Sequence, residues 1–110
     1  MREYWMPPID REPLWERIKL ALKDVYRFPE NRRAKATDLL GQLRYVRLEA
    51  NEAIAAALGD EGDDRIIEET WDTIQAAEGV LRKFSLWKVL KGLARVKLKS
   101  LHRGDYGGES

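Results

Sequence analysis

Proline and glycine punctuation cuts this 110-residue chain into four runs, and within each the apolar residues recur at helical, never alternating, spacing. That pattern restricts the chain to an all-α fold. Pro7 and Pro8 cannot continue a helix, so residues 1–9 read as an extended arm. Asp10 is the N-cap expected for a first run carrying Leu14, Ile18, Leu22 and Val25. This run ends at Phe28-Pro29, because the residue before proline is pushed out of the helical region.

A second helix is predicted over residues 30–58, with an apolar stripe of Leu39, Leu43, Val46, Ala50, Ile54 and Ala57. Gly59 is the expected left-handed C′ residue, and Asp63 or Asp64 the expected cap of the third helix. The third stripe is Ile66, Thr70, Ile74, Ala77, Leu81 and Phe84. Ser85 opens a basic fourth helix through Leu86, Val89, Leu90, Leu93, Val96 and Leu101, which Gly104 ends. Short connections between amphipathic helices predict an antiparallel four-helix bundle, one domain over residues 1–104 with a loose tail at 105–110.

Composition removes several kinds of chemistry. Without cysteine there is no disulfide, zinc–thiolate site or thiol nucleophile, and the one histidine, His102, argues against a histidine metal cluster or a catalytic triad. The start of the chain has no signal-peptide core, and no apolar run nears the roughly 20 residues that span a bilayer. The expectation is a cytoplasmic protein with no membrane contact. A net charge of +1 predicts no nucleic-acid binding. The charge is nevertheless polarised: acids dominate residues 49–78, with Arg65 their one basic neighbour, and residues 82–103 carry only basic charges.

The acidic half contains two pairs of carboxylates three residues apart, Glu49 with Glu52 and Glu69 with Asp72. On a helix such residues share a face. In an antiparallel hairpin turning at residues 59–62, Glu49 falls level with Asp72 and Glu52 level with Glu69. The flank beside them is small: Ala53 and Ala56 on one helix, Ala76 and Gly79 on the other. Spacing alone leaves two readings open, a solvated acidic face or a cluster that holds a hard divalent cation such as magnesium or manganese. An EF-hand reading of residues 60–64 fails, because the ligand positions do not match.

E-x-x-E followed after a turn by E-x-x-D resembles the all-α nucleoside triphosphate pyrophosphohydrolases, a group that includes the MazG-like proteins, the dimeric dUTPases and phosphoribosyl-ATP pyrophosphatase. The motif stands here as Glu49-Ala50-Asn51-Glu52 and Glu69-Thr70-Trp71-Asp72, within residues 43–81. The resemblance implies that Glu49, Glu52, Glu69 and Asp72 are both catalytic and metal ligands, holding magnesium against the phosphates of a nucleoside triphosphate. It also implies release of pyrophosphate and a nucleoside monophosphate by a homodimer or homotetramer. Arg44, Arg47, Lys91 and Arg95 are candidate phosphate-binding residues, and Trp71 a candidate for the nucleotide pocket. Two positions depart from the family's pattern: Leu48 stands where many members have an acid, and Trp71 where a smaller residue is usual. The absence of a histidine near the second motif argues against phosphoribosyl-ATP pyrophosphatase. The rival from another class is a noncatalytic helical interaction protein whose charges are solvated or face a partner.

Overall fold

The structure, a computed structural model, describes residues 25–107. Among them there are four helices and no strand: α1 (Arg32–Ala36), α2 (Leu39–Leu58), α3 (Asp63–Leu81) and α4 (Leu86–His102). The all-α expectation holds, and the arrangement is compatible with a helical bundle. The N-terminal arm and most of the first predicted helix lie outside the described residues. The described end of that run, residues 25–30, is irregular where Val25 and Tyr26 were expected on a helix.

The second predicted helix is broken in two. Asn31 caps α1 by accepting the Ala34 amide at 2.9 Å, and Asp38 caps α2 by accepting the Gly41 amide at 2.8 Å. Between them Thr37 is extended, with ψ 144°. Two side-chain caps seven residues apart thus outcompete one continuous helix, the usual role of Asn and Asp beside a helix start. Lys83 donates to the carbonyls of Ala34 and Thr37, so the end of α1 is satisfied from α3's side of the molecule.

The loop between α2 and α3 differs from expectation in two details. Gly59 has φ −85°, and the left-handed residue is Asp60 at φ 54°, a conformation that aspartate tolerates better than most side chains. Gly62, at φ 98°, is the N-cap of α3 and makes no side-chain cap bond. Asp63 and Asp64 lie instead in the first turn, where their charge favours the positive end of the helix dipole. Ser85 caps α4 as expected, accepting the Lys88 amide at 3.3 Å, and Gly104 at φ 78° follows its end.

Helices α2 and α3 form a closely packed antiparallel hairpin, and its interior is made of small and polar groups rather than the predicted apolar stripes. Ala34, Gln42, Glu49, Ala56, Glu69, Ala76, Glu78 and Gly79 are the buried residues of this region. Gln42 Nε2 donates to the Ala76 carbonyl at 3.0 Å across the interface. A Cβ at Gly79 would meet Ala34 Cβ and Gln42 Nε2 at 2.8 Å each, so the helices approach to a distance that only glycine permits there. The stripe residues Leu39, Leu43 and Ile54 of α2, and Ile74 and Leu81 of α3, are exposed, as is Leu58 at the end of α2. The physical reason is size: small side chains let backbones approach, and the larger branched ones are displaced to the outside.

The chain before α1 is fastened to the far end of α3. Both Glu78 oxygens accept the Arg27 amide, at 3.1 and 2.9 Å, and Glu78 Oε1 also accepts the Phe28 amide at 3.0 Å. Arg82 donates to the Phe28 carbonyl and stacks on Tyr26, 4.2 Å from its ring centroid. Helix α4 packs less closely. An open apolar cavity of about 580 Å³, walled by Tyr26, Leu81, Phe84, Val89, Leu93 and Val96, separates it from the end of α3.

Candidate functional site

Glu49 and Asp72 sit in the middle of their helices, where backbone hydrogen bonding leaves their positions little freedom. The hairpin register brings one carboxylate oxygen from each of Glu49, Glu69 and Asp72 to within 4.8 Å of the others. Glu69 is 3% exposed and Glu49 8% exposed, while Asp72 is half-buried. Glu52, the fourth acid of the motif, is exposed and lies outside this triad, yet its charge still acts on Glu69. Of the small flank read from the sequence, Ala56, Ala76 and Gly79 are buried and Ala53 is half-buried; Gly79 packs against Ala34 and Gln42.

The electrostatics of the triad centre on Glu69. Burial pushes its carboxyl above the ordinary value of 4.5; Arg65 opposes the rise, and the charges of Glu52, Asp72 and Glu49 add to it. Arg65 reaches across one turn to Glu69 Oε2 at 2.8 Å, and also meets Glu68 at 2.9 Å and Glu61 at 3.6 Å. Half of the Arg65 side chain is in solvent, so its pull on the buried acid is screened. The second oxygen, Glu69 Oε1, is buried with no hydrogen-bond partner among the described residues.

A polar pocket of about 160 Å³ opens on the triad. Glu49 and Asp72 form part of its wall, and Asn31, Arg33, Gln42, Tyr45 and Gln75 form most of the rest. The Arg33 guanidinium lies over the Tyr45 ring, 4.2 Å from its centroid. The neighbouring Glu49 carboxylate, with burial, holds the Tyr45 hydroxyl above the usual tyrosine range, and Arg33 opposes the rise. Tyr45 lies one turn before Glu49 on the same helix, and both line the pocket.

The remaining sequence candidates do not line this pocket. Trp71, 42% exposed, packs edge-on against Phe28 with centroids 6.0 Å apart, and Arg27 lies 5.7 Å from its ring. Arg44 and Arg47 are exposed on α2, and Lys91 and Arg95 are exposed on α4. Sequence reading missed Tyr45 and Gln75, although the spacing rule that found the acids could have found them. Tyr45 lies four residues before Glu49, and Gln75 three after Asp72, so each shares a helix face with its acid. Asn31 and Arg33 carried no such signal, because the break between α1 and α2 brings them to the pocket.

Comparison with protein-family models, curated proteins and solved structures gives no match for this chain.

Proposed function

We propose that the chain is a magnesium-dependent nucleoside triphosphate pyrophosphohydrolase of MazG-like type, acting as a homodimer or homotetramer. Glu69 carries this reading: an acid 3% exposed, clustered with two others, whose Oε1 has no partner among the described residues. Leaving a buried acceptor unsatisfied costs about 1–3 kcal/mol, more for a charged group, and three converging carboxylates add mutual repulsion. A hard divalent cation relieves both, and carboxylate oxygens are the donors such a cation prefers. The donor set therefore fits magnesium, with manganese as the alternative.

When bound, the cation supplies positive charge that polarises phosphoryl oxygens and makes a coordinated water more acidic. The chain's own residues prepare that chemistry. Glu49, Glu69 and Asp72 would hold the metal, and Arg65 pairs with Glu69 Oε2, leaving Oε1 for the cation. The water oxygen bonds to phosphorus as the phosphoanhydride bond breaks, and pyrophosphate leaves with that electron pair. Glu52, at the solvent side of the cluster, is the acid available to take the water's proton.

The exposed apolar faces also favour the rival reading, a noncatalytic protein that works by association. One assay separates them: pyrophosphate release from a panel of nucleoside triphosphates with magnesium. Release that is lost in Glu49→Gln and Asp72→Asn supports the hydrolase. No release from any nucleotide, together with no metal-dependent nucleotide binding, would leave the association reading standing.

A further inference from the structure

Helix α4 carries more apolar surface than the cavity beside α3 accounts for. Val89, Gly92, Leu93 and Val96 wall that cavity, and at roughly 100° per residue they share one side of the helix. Trp87, Leu90, Ala94 and Leu98, three and four residues apart, fall together on another side. There Trp87 is 64% and Leu98 55% exposed. We propose that this second face docks α4 flat on an anionic lipid surface, making the chain a peripheral membrane-binding protein. No residue of the carboxylate cluster takes part, so the inference stands apart from the hydrolase reading.

Charge is what selects this occupant. Residues 82–103 contain no acid. Around the helix, Lys91, Arg95 and His102 follow the apolar stripe on one edge and Lys97 on the other, and all four are exposed. Lys88 and Lys99 extend the basic side, and no lysine or arginine of α4 has an acidic partner among the described residues. A helix with Trp and Leu on one face and cations along its flanks has the composition that lies in a bilayer interface. The apolar side chains enter the boundary between headgroups and acyl chains. The indole sits at headgroup level, and the long cationic stems reach back to lipid phosphates.

Other occupants answer half of this pattern. Duplex nucleic acid would neutralise the cations and leave Trp87 and Leu98 in water. A second α4 would cover the stripe but set two rows of like charges edge to edge. An anionic bilayer meets both needs at once. Among the described residues no helix is long and apolar enough to cross a membrane, so the contact is with the surface. Helix α4 has 17 residues and so lays about 25 Å of its length along it.

The test is cosedimentation of the full chain with two kinds of vesicle, an equimolar mixture of phosphatidylglycerol and phosphatidylcholine, and phosphatidylcholine alone. Binding should favour the anionic vesicles by about tenfold or more, and fall as salt is raised. Two double variants, Lys91→Glu with Arg95→Glu and Trp87→Ser with Leu98→Ser, should each weaken it by about tenfold or more. All four positions are exposed, so both variants should keep the native helicity. A second readout needs only a mild change: brominated acyl chains should quench part of the tryptophan emission of the native chain, and Trp87→Phe should remove that part. No binding to anionic vesicles, equal binding to neutral ones, or binding that either double variant leaves unchanged would overturn the proposal. Binding of duplex DNA without binding of vesicles would overturn it in favour of nucleic acid. Self-association lost in the serine variant, again without vesicle binding, would overturn it in favour of a second copy.

Discussion

Glu69 ionises at a cost, since it is buried and the charges of Glu52, Asp72 and Glu49 act on it, with Arg65 the opposing cation among the described residues. Because its folded pKa lies above the ordinary 4.5, the native state holds the proton more tightly than the unfolded chain. The stability this contributes is fully present below about pH 4.5 and is lost as pH rises through the raised value. Metal-free protein should therefore lose melting temperature over that window. Magnesium should restore it at pH 7.5 and have no effect at pH 4, where the ligand is protonated. At a hundred times its dissociation constant a ligand adds about 2.7 kcal/mol, readily seen in a thermal melt. Glu69→Gln sharpens the prediction. In chelator at pH 7.5 it should melt no lower than the native chain, because the raised pKa shows that the site favours the neutral form. It should also gain nothing from magnesium. A fall in melting temperature in chelator would mean that the Arg65 pair outweighs the repulsion.

At the level of the elements, the hairpin holds together through close approach rather than through large apolar side chains. Gly79→Ala should destabilise the protein by about 1–3 kcal/mol, the usual penalty for overpacking, even though alanine is the better helix former. Its new methyl group would meet both Ala34 and Gln42. Gly92 in α4 has nothing within 4 Å of an added Cβ, so Gly92→Ala should stabilise by up to about 1 kcal/mol. Urea unfolding of the two variants measures both signs. The same contrast explains what the sequence could reveal. Helix ends at Ser85 and Gly104, and the acidic hairpin register, depend on local chemistry and were legible. Which face of α2 turned inward was not, because periodicity marks an apolar face without saying what will cover it. Leu43 and Ile54 satisfied the stripe rule and are exposed, while Gln42 and Glu49, polar by any scale, are buried. The break at Thr37 was hidden for a related reason: Asp38 can sit inside a helix or cap one, and Lys83, which donates to the Ala34 and Thr37 carbonyls at the break, lies 45 positions further along the chain.

Over the whole molecule, the exposed apolar residues are too many and too regularly spaced to be scattered surface. Leu39, Leu43, Ile54 and Leu58 continue along α2, Leu58 being 83% exposed, and Leu93, Val96 and Leu101 repeat the pattern on α4. Stable interfaces bury about 1,200–2,000 Å² in total, and they are built around apolar side chains such as these. The chain of 12.8 kDa should therefore sediment as a dimer or tetramer at micromolar concentration, with a melting temperature that rises with concentration. Leu43→Lys and Ile54→Lys, which place charge in the exposed stripe, should dissociate it. Arg44→Ala, beside the stripe on an exposed face, should not. The variants also locate the metal site. Glu49, Glu69 and Asp72 come from a single hairpin, so a dissociated Leu43→Lys chain that remains helical should still gain melting temperature from magnesium. Loss of that gain on dissociation would mean that the partner supplies a ligand, and a native chain that sediments as a monomer would remove the assembly altogether.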